Sequence, residues 1–167
     1  MKTIRLDLAP VTAAAFAPFG VLPPDEGDGH ETADLEFVKN DGWVNYIAHS
    51  LDEITVTEGG YRCDLVNRHD THTQTLMPMT GRALIVVAPA AVDFSDAADF
   101  DAVRAFEIPQ HGCLHLARGT WHWGPYPLDA PDLRIFNIQG RGYPTDNGVA
   151  HFVRDHDLAY VVKTKLD

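Results

Sequence analysis

Ile4, Leu6 and Leu8 recur at every second residue, the period that places apolar side chains on one face of a strand. Thr12 precedes the Ala-rich run "TAAAFAPFG", which predicts a short helix with Thr12 as its N-cap, stopped by Pro18 and Gly20. "PPDEGDGHETAD" has no periodicity and many turn formers, so it reads as a surface loop with His30 facing solvent. From Trp43 onward, short apolar runs alternate with turn residues: "WVNYIA", "YRCDLVN", "TLMPM", "ALIVVAP", "CLHLA", "LRIFNI" and "AHFVRD". Strands this short and this frequent predict an all-β sandwich or barrel. One stretch departs from the pattern. In "SDAADFDAVRAFEI", Ser95 is placed to cap and Phe100, Val103 and Phe106 have helical spacing, so a helix is predicted. Leu158, Tyr160 and Val162 in "DLAYVVKTKLD" predict a last edge strand.

Residues 1–167 read as a single domain, because this length supports one core and no repeat, low-complexity segment or linker divides it. With 24 Asp and Glu against 13 Lys and Arg, the net charge of −11 argues against a nucleic-acid partner, whose phosphates need clustered cations. A small anionic substrate would also be repelled at long range. It would need a local metal or arginine to reverse the field. The two cysteines, Cys63 and Cys113, sit in alternating apolar runs and read as buried free thiols. No secretory signal or apolar stretch of spanning length is evident, so a cytoplasmic protein with no membrane partner is expected. A short barrel with an apolar N-terminal strand and aromatic-rich edges leaves a sheet edge open unless a partner covers it, which predicts a homodimer.

The chemistry-bearing residues cluster in two places. In "RHDTHTQTLMPMTG", strand alternation puts Asn67 and His69 on one face and Arg68 on the other, and a hairpin-like bend could return Gln74 to the same interior. Asn67, His69, Gln74 and Gly81 occupy places that resemble the first cupin motif, which normally reads His-x-His, then a glutamate and a later glycine. "ARGTWHWGPYPL" resembles the second, with Gly119 at the turn, His122 as the late histidine, and Ala117 where a proline is usual. The resemblance implies a double-stranded β-helix, or jelly-roll barrel, with one or two short helices and one metal inside. His69, Gln74 and His122 are then the candidate ligands, with Asn67 a fourth. Imidazole nitrogens and amide oxygens suit divalent manganese, zinc or iron. His72 lies in the turn between the motif strands, and His115 shares a face with Cys113 and Ala117. His49, His151 and His156 read as surface residues.

Four segments narrow the resemblance to the ureidoglycolate lyases: "VTAAAFAPFG", "RHDTHTQTLMPMTGRALIVVAP", "FDAVRAFEIPQHGCLHLARGTWHWGPYPL" and, in position only, "RIFNIQGRG". The chain departs from that family's usual pattern at Asn67, where a glutamate is customary, near His72 for a glycine, and at Trp123 for a second histidine. It also lacks the arginine usual on the strand "WVNYIAHS". The resemblance implies metal-assisted cleavage of ureidoglycolate to glyoxylate and urea, with His72 or His115 moving the proton and Arg141 holding the carboxylate. Two other readings stay open at this level: a cupin lyase or isomerase for another small hydroxy or keto acid, and a non-catalytic small-molecule-binding cupin.

Overall fold

The computed structural model describes residues 1–24 and 34–164; His30 and most of the predicted surface loop lie outside them. β1 (Lys2–Pro10) leads into α1 (Ala13–Phe16) and β2 (Gly20–Val21). Next come β3 (Gly42–Ser50), a 3-10 turn at Leu51–Glu53, β4 (Thr55–Thr57), β5 (Gly60–Cys63), β6 (Leu65–Arg68), β7 (Gln74–Pro78) and β8 (Ala83–Ala88). After α2 (Ala97–Phe100) the chain forms β9 (Arg104–Ile108), β10 (Leu114–Leu116), β11 (Trp121–Pro127) and β12 (Asp132–Gly140). A 3-10 turn at Tyr143–Thr145, β13 (Gly148–His151), α3 (Phe152–His156) and β14 (Leu158–Lys163) complete it. The strands make a nine-stranded sheet in the order β13-β6-β11-β8-β9-β1-β14-β5-β4 and a five-stranded sheet in the order β2-β10-β7-β12-β3. Two curled sheets with only short helices are the cupin jelly roll that the motifs imply. Among the described residues, no helix is long and apolar enough to cross a membrane.

The continuous apolar run of β8 explains how the layers hold together. Ala83, Ile85 and Val87 join a core shared with Leu76, Leu114, Leu116, Leu133 and Ile135 of the five-stranded sheet. Leu84, Val86 and Ala88 point the other way, into a second core with Tyr61, Trp121, Phe152 and Tyr160. A strand buried on both faces has no polar side to show, so its sequence does not alternate. α1 forms as predicted: Ala15 N–H donates to Thr12 Oγ1 at 3.2 Å, and Phe16 packs 5.8 Å from both Phe19 and Phe106.

Four local expectations need correction. α2 is only four residues long and its N-cap is Asp96, not Ser95; Phe106 belongs instead to β9, which pairs with β8 and β1. Hydrogen-bonding partners on both sides override a helical spacing of three aromatic or aliphatic residues. "AHFVRD" is the end of β13 followed by α3, which stops at Asp157 in the left-handed conformation. β14 is not an edge, since β1 and β5 flank it. Finally, β6 and β7 do not make a hairpin. They lie in different sheets, so residues 69–73 cross from one layer to the other. Both cysteines are free, Cys63 buried and Cys113 half-buried.

Candidate functional site

The crossover between β6 and β7 builds the site, because it carries its polar residues into the gap where the two sheets part. Asn67 on β6 lies directly opposite His122 on β11, so their side chains share the inner face. Gly119, at φ +75, turns the chain into β11 and donates its N–H to His69 O at 2.7 Å, tying the second motif to the first. The ring of His69 lies 4.7 Å from that of His72, nearly parallel, and 5.4 Å from that of His122. Gln74 opens β7 beside them. His69, His72, Gln74 and His122 together surround a space of about 10 Å³, which is ion-sized. Three of the four also line a larger cavity of about 520 Å³, whose wall includes Asn67.

Each of the three histidines is held through the same atom. Nδ1 of His69 donates to Asp146 O at 2.5 Å, that of His72 to Thr73 O at 3.1 Å, and that of His122 to Thr120 O at 3.2 Å. A proton fixed on Nδ1 leaves Nε2 with a lone pair, which is how metal-binding histidines are oriented. Gln74 is oriented too: its Nε2 donates to Asn137 Oδ1 at 2.9 Å and to Gln139 Oε1 at 3.1 Å, and Asn137 Nδ2 donates to Asn45 Oδ1 at 2.6 Å. This chain of amides spends the donors of Gln74 and frees its oxygen. His72 Nε2 and Gln74 Oε1 are buried with no hydrogen-bond partner among the described residues. Two such orphaned acceptors in one place are costly unless something binds them.

The other predicted residues fall elsewhere. Asn67 is on the cavity wall, but its Oδ1 accepts a long contact of 3.4 Å from Asn147 Nδ2. His115 is not on the wall: Thr75 Oγ1 lies 2.8 Å from its Nδ1 and Asp34 O lies 3.1 Å from its Nε2. Arg141 is exposed, its guanidinium 4.8 Å from the centre of the Trp43 ring. Arg68 lies over Trp121, away from the cavity. No lysine or arginine lines the cavity among the described residues.

Sequence reading missed four contributors. Asp146 accepts hydrogen bonds from Asp70 N–H, Thr71 N–H and Thr71 Oγ1, so it clamps the crossover. Its carboxylate lies within 4.8 Å of ring nitrogens of His69 and His72, with Oδ2 taken twice by Thr71 and Oδ1 accepting from Asp70. Burial raises its pKa, yet the hydrogen bonds from Thr71 and Asp70 outweigh burial and hold the carboxyl below the ordinary value. Asn137 and Gln139 share the inward parity of Leu133 and Ile135 on β12, and polar residues at core-facing positions were the signal available. His49 lines the cavity rather than the outer surface, with Glu53 beside it.

A family model described as ureidoglycolate lyase matches residues 27–156. Relatives named ureidoglycolate lyase include those of Burkholderia mallei, 30% identical over 85% of this chain and 84% of theirs, and Rhodobacter capsulatus, 32% identical over 76% and 81%. That of Pseudomonas savastanoi pv. phaseolicola is 28% identical over 98% of both chains. The chain belongs to the ureidoglycolate lyase family. In this family member two of the cluster histidines lie below the ordinary histidine range. Burial pushes His122 down to about 4, helped by the neighbouring His69 ring, and burial also lowers His69 despite its bond to Asp146.

A pH prediction follows for the metal-free protein. His69, His115 and His122 all titrate below the ordinary 6.5 when folded, so as pH falls the unfolded chain takes up their protons first. Their contribution is therefore complete above 6.5 and lost between 6.5 and about 4, with His122 alone accounting for on the order of 3 kcal/mol. Thermal melts of chelator-treated protein should show a falling Tm across that window. A Tm that holds steady or rises on acidification would contradict it.

Proposed function

We propose that this ureidoglycolate lyase family member cleaves ureidoglycolate to glyoxylate and urea, with a divalent metal at the histidine cluster. The observation that carries the reading is that three Nδ1-anchored histidines and Gln74, with its orphaned oxygen, line one ion-sized space. Four neutral donors, nitrogen and oxygen, fit manganese, zinc or iron. His69, His72, His122 and Gln74 would hold the ion, and Asn67, opposite His122 in the register, lines the adjoining larger cavity. Bound there, a divalent metal would lower the pKa of the substrate hydroxyl and offset the carboxylate charge that this acidic chain repels. The cavity wall has no cation of its own to do so, which moves Arg141 out of the binding role among the described residues.

The remaining wall suits the rest of the substrate. Asn45, Asn67, Gln139 and Asn147 offer amide donors and acceptors, the complement of a ureido group's carbonyl and N–H bonds. Ile47, Leu65 and Trp123 present apolar surface that excludes water. Since Nε2 of His72 is buried within the cluster, this residue serves as a ligand rather than a proton carrier. His115 faces away and has no part in the chemistry. We also read the protein as cytoplasmic, acting in allantoin degradation within purine catabolism, and as a homodimer, because Val44 and Tyr46 on the edge strand β3 expose apolar surface.

Glyoxylate and urea release from racemic ureidoglycolate, by chelator-treated protein with and without added manganese, tests the reading. Stoichiometric release of both products that depends on the metal is expected. Fully loaded protein that releases neither would overturn it.

A further inference from the structure

Elimination of urea requires a proton to leave the hydroxyl oxygen and another to reach the departing nitrogen. His69, His72 and His122 are assigned to the ion in the reading above, each with Nδ1 tied to a carbonyl and each bordering the ion-sized space, so none is left for this transfer. Tyr126 is on the cavity wall, but burial and the charge of Glu53 push its phenol up to about 12, so it keeps its proton. One cavity histidine remains.

His49 is the penultimate residue of β3, and the chain turns immediately after it through the 3-10 turn Leu51–Glu53. That turn brings Glu53 back over the strand end. Its Oε1 accepts the Ser50 N–H at 2.9 Å and its Oε2 lies 2.7 Å from His49 Nδ1. The carboxylate is thus fixed at both oxygens and in turn fixes the ring, whose centre lies 4.9 Å from that of the Tyr126 ring. With Nδ1–H donated to a carboxylate, Nε2 is the basic nitrogen, and any positive charge the ring acquires is balanced by Glu53. Both residues line the same cavity as His69, Gln74 and His122.

We propose that His49, oriented by Glu53, is the catalytic residue that carries the proton from the substrate hydroxyl to the departing urea nitrogen. This rests on the reading of the cavity as a ureidoglycolate site. The hydroxyl oxygen and the ureido nitrogen are bonded to one carbon, so a single imidazole nitrogen reaches both. Nε2 takes the hydroxyl proton, the O–H electron pair becomes the second bond of the glyoxylate carbonyl, and the C–N bond breaks with its pair moving to nitrogen. Nε2 then gives the same proton to that nitrogen, completing urea and restoring neutral His49. No oxidant, reductant or water is consumed.

The test uses full-length protein loaded with manganese, with ureidoglycolate turnover and metal content measured side by side. His49→Gln and His49→Ala should keep parent metal content and KM while kcat falls roughly 10²- to 10⁴-fold, the range for a positioned acid–base group. Added imidazole should restore part of the activity of His49→Ala. Glu53 is a positioning residue: Glu53→Gln keeps an oxygen for the Ser50 N–H, so kcat should fall about tenfold with KM and metal content unchanged. His49 variants that keep kcat within about twofold of the parent overturn the proposal. A parent protein without turnover overturns the underlying reading, and this assignment with it, and that result is read before any variant is compared.

Discussion

Replacing His122 with alanine is expected to remove metal retention and to lower kcat/KM by about a thousandfold or more while leaving the jelly roll intact. His122 presents a neutral imidazole on the inner face of β11, held by Thr120 O, with its pKa driven down by burial so that its lone pair is available at any working pH. Its side chain borders open cavity and the ion-sized space rather than close-packed core, so truncation leaves no large new void. What is lost is one of four donors. A bound divalent metal supplies several kcal/mol of charge stabilisation, and each 1.36 kcal/mol is tenfold in rate, which sets the expected size. His69→Ala should behave alike. Elemental analysis after dialysis, a far-UV spectrum and the coupled glyoxylate and urea assay check this together; variants that retain parent metal content and activity would show that the cluster is not the ligand set.

The second large effect is a gain. Asn67→Glu should retain metal through dialysis at concentrations of chelator about tenfold higher than the parent tolerates, since a carboxylate is a harder and charged ligand than an amide. The register makes this specific: Asn67 sits directly across from His122, with its side chain on the same face of the sheet. The present amide makes only a 3.4 Å contact with Asn147, so little is broken by the exchange. Turnover should not rise in step, because the added charge opposes an anionic carboxylate and weakens the acidifying effect of the ion. Unchanged retention in paired elemental analyses would mean that residue 67 does not reach the ion.

How much of this was legible without coordinates depends on how far apart in sequence the interacting groups lie. Period-two alternation in β1 and the Thr12 cap of α1 are local, and the sequence predicts them correctly. β9 is the counterexample. Phe100, Val103 and Phe106 have helical spacing, but Phe106 has strands on both sides, and two ladders of backbone hydrogen bonds outweigh the propensity of a pattern about two turns long. The same holds for β14, whose place between β1 and β5 depends on a pairing more than a hundred residues away in sequence.

For the site, sequence by itself determined which side chains are candidates: His69, Gln74 and His122 are set by motif spacing, and those three do converge with His72 on one space. Sequence reading missed Ser50-x-x-Glu53, which the structure forms into a capping box after β3. Only the tertiary structure decided what each candidate can do. It turned His115 and Arg141 away from the cavity, because strand parity and the turn after β12 are fixed by partners on other strands. It moved His72 from the turn into the cluster by crossing the chain between sheets, and it clamped that crossing with Asp146, 75 or more residues distant along the chain. It also brought His49 from a presumed outer surface to the cavity wall. Local sequence reports periodicity and capping because these are settled within a few residues; which nitrogen is free and which wall a ring faces is settled by hydrogen bonds between segments that only folding brings together.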